Sequence, residues 1–198
     1  MIKVVICGAS GRMGQTLGRM VHEAPDMELV GGINLKPSSF FGAEIVEAKD
    51  ADALLKRTKA DVVIDFTVAS AVVGNVKVAA RNNCALIVGT TGISPEQRAE
   101  MEKAINGHVP AVISTNFSIG VAIFQQLVRE SARLLKDYDI EVIEAHHRNK
   151  KDAPSGTAKT LLQIIEEEAG AREKQYGREG MTERKNEIGV HVIRGGDI

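Results

Sequence analysis

Between Glu144 and Thr157 the chain reads Glu-Ala-His-His-Arg-Asn-Lys-Lys-Asp-Ala-Pro-Ser-Gly-Thr. Two adjacent histidines, an arginine and two lysines lie between a strand-like apolar run and the start of a helical pattern. Three chemistries are open to such a segment. One is a solvated basic loop, the usual fate of a charge run. Another is a metal site, for which adjacent histidines without a clear carboxylate or cysteine partner make a poor tetrahedral set. The third is an anion-binding catalytic pocket. There, cations and the helix N–H groups of Ser155, Gly156 and Thr157 hold carboxylates, and a histidine or lysine supplies a proton.

A second cluster stands at the other end of the chain. Gly8-Ala9-Ser10-Gly11-Arg12-Met13-Gly14 follows an apolar run, Ile2 to Cys7, and opens a helical pattern through Leu17, Met20 and Val21. A tight strand-to-helix turn tolerates glycine, and a pyrophosphate needs close backbone approach. The helix N-terminus then offers N–H groups and partial positive charge to phosphates. The spacing is G-x-x-G-x-x-G, with Ser10 at the usual place of a glycine; the strand-loop-helix context carries the motif. An acidic residue normally binds the adenine ribose about 20 residues further on. Asn34 occupies that position. Asn can hydrogen-bond a hydroxyl and does not repel a 2′-phosphate, which Arg12 and Lys36 would attract, so NADPH is expected at least on a par with NADH. Lys36 reads equally well as a solvated surface charge. Gly89-Thr90-Thr91-Gly92 and Ser114-Thr115-Asn116-Phe117 end two further apolar runs. There they suit the nicotinamide and its ribose, although each alone could be ordinary turn chemistry. Asp65-Phe66-Thr67 ends another run in the same way.

The elements that must position these groups follow from periodicity. Short apolar runs at 28–33, 62–66, 85–88 and 111–114 alternate with helical patterns near 51–57, at 69–81 and at 95–105, the last with Ser94 at its N-cap and Pro95 at its first position. Strands of this kind suit a parallel sheet covered on both faces, hence a doubly wound, Rossmann-type α/β domain over 1–117. Residues 119–135 predict one amphipathic helix with Val121, Phe124, Leu127, Val128, Ala132 and Leu135 on one face. Residues 139–147 and 188–194 predict strands, 157–169 a helix and 172–186 a charged loop. A smaller α+β domain is therefore expected over 118–198.

The 198 residues suffice for two small domains. A formal net charge of −1 gives no reason to expect nucleic acid or a membrane as partner. Cys7 and Cys84 lie in apolar runs and read as reduced core residues. The absence of a leader-like segment and of a long apolar run makes the cytoplasm the expected location.

Taken together, the motifs resemble the dihydrodipicolinate reductase family. The resemblance rests on Gly8–Gly14, Asp65–Thr67, Gly89–Gly92, Asn116–Ser118 and above all 144–157, in the family's order and over the whole chain; residues 194–198, Arg-Gly-Gly-Asp-Ile, resemble its next motif. The resemblance implies an NADPH- or NADH-dependent reductase of the diaminopimelate route to lysine. Its substrate would be a cyclic imine dicarboxylate, 4-hydroxy-tetrahydrodipicolinate or its dehydrated form, reduced by hydride at C4 and a proton to tetrahydrodipicolinate. It implies His146 as proton donor and Lys150 as the second residue of proton donation and substrate binding. His147, Gly156 and Thr157 would bind substrate. Gly8, Ala9, Ser10, Gly11, Arg12, Met13, Asn34, Gly89, Thr90, Thr91, Ser114, Thr115, Asn116 and Phe117 would bind the dinucleotide. Asn34 and Asn149 depart from the family pattern: several members are acidic at the first, and some carry histidine at the second. For the smaller domain the resemblance implies substrate binding and oligomerisation. It also implies a homotetramer at full length and further strands and a helix after residue 198, so a truncated form is expected. Two rival functions are a non-catalytic dinucleotide sensor, which would lack a convergent proton donor, and another Rossmann imine or aldehyde reductase of amino-acid metabolism.

Overall fold

The computed structural model describes residues 1–197. The chain packs as two compact units, Met1–Thr115 and Asn116–Ile198.

In the first unit, strands β1 (Ile2–Cys7), β2 (Met27–Ile33), β3 (Ser38–Phe40), β4 (Ala43–Val46), β5 (Val62–Asp65), β6 (Ala85–Val88) and β7 (Ala111–Ile113) form one sheet in the order β3-β4-β2-β1-β5-β6-β7. All pairings are parallel except β3 with β4. The side chains of β1 alternate between two cores. Val5 and Cys7 face Leu54 and Leu55 of α2 (Ala51–Thr58), Val72 and Val76 of α3 (Ala69–Arg81) and Met101 of α4 (Pro95–Ile105). Val4 and Ile6 face Val21 of α1 (Arg12–Glu23) and Ile45. Helices thus cover both faces, which is why the strands read as continuous apolar runs. At α4 the Ser94 hydroxyl accepts from the Gln97 N–H and the Gln97 side chain returns to the Ser94 N–H, so the expected N-cap forms a full capping box.

The β3–β4 hairpin has no counterpart in the sequence reading. Its two-residue turn, Phe41-Gly42, holds both residues at positive φ, 47° and 78°. That is the primed turn a tight hairpin favours, here without the Asn-Gly or Asp-Gly pair that would announce it. The hairpin is held from outside: Phe40 packs where a side chain at Gly18 of α1 would stand, and Phe41 stacks on His22 at 4.4 Å.

In the second unit, β8 (Ile140–His146), β9 (Lys174–Tyr176) and β10 (Ile188–Arg194) form a parallel sheet in the order β8-β10-β9. The segment 172–186 is therefore not wholly a loop, and this sheet has three strands where two were expected; a three-residue strand of Lys, Gln and Tyr carries no apolar alternation to reveal it. Ile140, Val142, Ile188 and Val190 pack against α5 (Ile119–Leu134) and α6 (Gly156–Ala169) through Val128, Ala132, Leu162 and Ile165. The apolar stripe expected on α5 is only partly buried. Ala132 is enclosed, while Phe124 and Leu127 are 50% and 61% exposed, because the chief neighbour of α5 within the unit is α6. Among the described residues no helix is long and apolar enough to cross a membrane.

Candidate active site

The first unit gathers its sequence-marked residues at the carboxyl ends of β1, β5 and β6. Between β2 and β5, which flank β1, the strand order reverses, and open α/β sheets bind ligands in the crevice beyond such a switch point. Gly8 leaves β1 with φ +80°, and a Cβ there would meet the Phe66 carbonyl oxygen at 2.7 Å. Gly14 is packed equally tightly, since a Cβ would overlap the backbone of Gly8 and Ala9. The loop closes on itself through the Gly11 N–H to the Gly8 oxygen at 2.9 Å, and α1 starts there with Gly11 at its N-cap. No side chain caps this helix and no acidic residue stands in its first turn. Arg12, Met13 and Gly14 stand in the first turn, whose N–H groups an α-helix does not pair internally and which suit an anion. Arg12 and Met13 are exposed and Ala9 is buried beneath the loop. Ser10 and Asn34 are joined directly, the Asn34 amide donating to the Ser10 hydroxyl. This brings the residue after β2 onto the glycine loop. These features fit a dinucleotide pyrophosphate.

Asp65 organises the neighbouring loops and is completely buried. Its Oδ1 accepts from the Thr67 N–H at 3.1 Å, the Thr67 hydroxyl at 2.7 Å and the Thr90 hydroxyl at 2.7 Å. Its Oδ2 accepts from the Asn75 amide at 2.7 Å. Thr90 therefore turns inward, while Thr91 is exposed at the rim. The Phe66 ring covers Gly89, where a side chain would collide with it. Asp65 raises the Cys7 thiol in turn: burial first, then the carboxylate's charge and hydrogen bond, push it well above the ordinary thiol range. Cys7 is thus a proton-bearing core residue, and Cys84 is likewise buried and free. Ser114 follows β7 with its N–H on the Val88 oxygen at 3.0 Å, and Thr115 is exposed.

In the second unit Glu144 and His146 share one face of β8, two residues apart. His146 Nε2 lies 3.2 Å from Glu144 Oε2. Glu144 Oε1 accepts from the Ser155 N–H at 2.8 Å and from Arg194 of β10 at 3.3 Å. Burial raises the Glu144 carboxyl, and the hydrogen bonds from Ser155, Arg194 and His146 outweigh it, so the net shift is downward. Arg194 also donates to the Asp152 carbonyl. The Asp152 carboxylate pairs with Lys150 Nζ at 2.8 Å; that contact, opposed by partial burial, holds Asp152 below the usual carboxylate value. One polar chain thus links Lys150, Asp152, Arg194, Glu144 and His146. The His147 Nδ1 accepts from the Asn149 N–H at 3.2 Å, so the residue that replaces a histidine here helps to fix the turn.

Ser155 caps α6 by accepting from the Ala158 N–H at 3.1 Å. Helix geometry directs the N–H groups of Gly156 and Thr157 out of the first turn, where a carboxylate is favoured. Asn116 reaches the same turn, with its amide 3.4 Å from the Thr157 hydroxyl, and the backbone of Phe117 follows it into α5. Asp65, Glu144, Asp152 and Arg194 entered the sequence reading only as members of motifs, with no role of their own. A usable signal existed for Glu144, whose alternation with His146 on a strand puts both on one face. For Arg194 the register that pairs it with His146 is visible only in the sheet. Among the described residues no group of three or more His, Cys, Asp or Glu is placed to hold a metal ion.

Comparison with known proteins agrees with this division. Residues 2–117 match the profile of "Dihydrodipicolinate reductase, N-terminus" and residues 120–198 that of "Dihydrodipicolinate reductase, C-terminus". The chain is 78% identical over 198 residues to the 4-hydroxy-tetrahydrodipicolinate reductase of Methanoregula boonei, covering 100% of this chain and 78% of that protein. It is 66% identical over 198 residues to the enzyme of the same name from Methanoculleus marisnigri, covering 100% and 79%. A solved structure of dipicolinate-bound dihydrodipicolinate reductase from Paenisporosarcina sp. TG-14 superposes with a TM-score of 0.77 at 28% identity, over 98% of this chain and 79% of that one. A scyllo-inositol dehydrogenase from Lactobacillus casei with bound NAD(H) and scyllo-inositol, at TM-score 0.61 and 15% identity over 87% and 57% of the two chains, shares the fold alone. With both profiles matched in order and the relatives this similar from end to end, the chain belongs to the dihydrodipicolinate reductase family.

Proposed function

We propose that this protein reduces 4-hydroxy-tetrahydrodipicolinate, or its dehydrated cyclic imine dicarboxylate, to tetrahydrodipicolinate with NADPH or NADH. The observation that carries the reading is the polar chain of the second unit, which draws Lys150, His146 and the cap of α6 into one connected set. The names of the curated relatives support the same substrate.

When bound, the reduced dinucleotide supplies the hydride. The loop from Gly8 to Met13 and the N-terminus of α1 hold its pyrophosphate, Asn34 meets the adenine ribose, and Gly89, Thr91, Ser114, Thr115, Asn116 and Phe117 form the remaining dinucleotide contacts. Thr90 acts through Asp65, shaping the loop rather than touching the ligand. Gly156 and Thr157 take a substrate carboxylate with their N–H groups, and His147 and Lys150 add polar and cationic contacts. Reduction of an unsaturated imine leaves an electron-rich enamine carbon that must gain a proton. His146 donates it, with Lys150 as second donor. The protein acts in the cytoplasm as a homotetramer; support for assembly comes from Ile143 and Ile193, 70% and 52% exposed, which project away from the helices on the open face of the small sheet.

The test is substrate-dependent oxidation of NADPH with freshly generated cyclic substrate, run beside His146→Ala and Lys150→Ala. Turnover in each variant should fall about 10²–10⁴-fold with NADPH affinity retained. Absence of any substrate-dependent oxidation by the wild type would favour a dinucleotide-binding sensor instead.

A further inference from the structure

Resting on the reading of His146 as the proton donor, we propose that Glu144 is a positioning residue that fixes the His146 ring with its hydrogen on Nε2 and leaves Nδ1 as the nitrogen that carries and delivers the proton. Three contacts define the Glu144 carboxylate: two come from obligate donors, and the third is the His146 ring nitrogen Nε2, whose hydrogen depends on the tautomer. Oε1 is engaged by the Ser155 N–H and Arg194, and Oε2 faces His146 Nε2 at 3.2 Å. The Glu144 side chain is only 11% exposed, so little water competes for these bonds. An ionised carboxylate can only accept. The hydrogen between the two side chains must therefore sit on the imidazole, and Nδ1 is the ring position that gains and loses a proton. A carboxylate behind a histidine sets tautomer and ring orientation in this manner wherever the other nitrogen has work to do.

The proton balance follows. The Nδ1–H bond of the imidazolium breaks, and the enamine electron pair forms the new C–H bond. The ring is left neutral with Nε2–H still on Glu144. Solvent then restores the proton at Nδ1. Glu144 neither gains nor loses a proton in the cycle.

The same contacts predict what an amide would do. In Glu144→Gln the oxygen is claimed by two donors, Ser155 N–H and Arg194, so the NH₂ group must turn toward His146. Facing a donor, Nε2 becomes an acceptor, and the neutral ring takes its hydrogen on Nδ1. Because Ser155 and Arg194 keep their acceptor, the cap of α6 and the β8–β10 pairing survive.

The tautomer is read from the ring nitrogen shifts in ¹⁵N-histidine-labelled protein, with the His146 signals assigned by their loss in His146→Ala. The wild type should show a protonated Nε2 in the neutral ring, and Glu144→Gln a protonated Nδ1 or a mixture. For Glu144→Gln, kcat should fall about 10²–10⁴-fold, with NADPH Kd and substrate KM within a few-fold of wild type. Glu144→Asp should recover part of kcat and the wild-type tautomer. A Glu144→Gln variant with the wild-type ring pattern, or with kcat within twofold of wild type despite a changed pattern, overturns the proposal. So does a KM and Kd loss that matches the kcat loss, which would mark a purely structural role. If the tautomer changes as expected but His146→Ala turns over normally, the proton-donor reading beneath it fails and the orientation of the ring by Glu144 stands.

Discussion

Thr90 and Asp65 stand 25 residues apart in the sequence, and the Thr90 hydroxyl donates to the fully buried Asp65 carboxylate at 2.7 Å. That bond ties the loop after β6 to the loop after β5, and Thr67 completes the knot by donating its N–H to the Thr90 oxygen at 2.8 Å. Replacing Asp65 with alanine removes the acceptor of the Thr67 and Thr90 hydroxyls and of the Asn75 amide. An unpaired buried group costs about 1–3 kcal/mol, so Asp65→Ala should lose about 3 kcal/mol or more in denaturant unfolding. Asp65→Asn keeps one acceptor and should lose less. Equal stability of Asp65→Ala and wild type would show that the knot is not needed to hold these loops.

The glycine loop makes a separable prediction. Gly11 is exposed and its nearest neighbour is the Gly8 oxygen, 3.2 Å from where a Cβ would stand. A leucine there projects into the space a pyrophosphate must enter. Gly11→Leu should weaken NADPH binding at least tenfold in a fluorescence titration while the thermal midpoint moves by only a few degrees. Undiminished binding would place the phosphates elsewhere.

Cofactor preference should respond to Asn34. Its amide donates to Ser10; an aspartate can accept from the same hydroxyl, so the loop contact survives the change. The added negative charge opposes a 2′-phosphate, and a like-charge contact near a surface is worth about 1–4 kcal/mol. Asn34→Asp should therefore lower the NADPH-to-NADH ratio of affinities on the order of tenfold or more. A ratio that does not move would show that the ribose lies away from Asn34.

Acid should weaken the second unit in a direction set by Glu144 and Asp152, both held below their ordinary values of 4.5 and 3.8. For Glu144, burial raises the carboxyl and its hydrogen bonds more than offset that; for Asp152 the Lys150 contact dominates. A carboxyl that binds protons less readily when folded adds stability that is fully present above its unfolded value, and loses it as pH falls through the folded value. Unfolding free energy should therefore be flat near neutrality and fall below about pH 4.5. Glu144→Gln should be less stable at neutral pH and show a shallower acid slope. An unchanged slope would mean that Glu144 does not titrate with folding.

The sequence by itself determined the elements whose periodicity is local. Continuous apolar runs marked β1, β5 and β6, Ser94 and Pro95 marked the start of α4, and the glycine spacing marked the turn into α1, because each signal is written in residues a few positions apart. The residue types in 144–157 pointed to the segment proposed to carry the chemistry. What the tertiary structure alone decided was partnership across long separations. The β3–β4 hairpin is stabilised by Phe40 against Gly18 and Phe41 against His22, contacts no local pattern announces. Asp65 became an organiser because β5 and β6 pair in register and bring Thr90 within reach. Glu144 owes its hydrogen-bonded setting to Arg194, 50 residues away on β10, and to Ser155, 11 residues on at the cap of α6. A buried carboxylate takes its function from the donors folding places around it, and those donors are set by sheet register and helix packing rather than by neighbours in the chain.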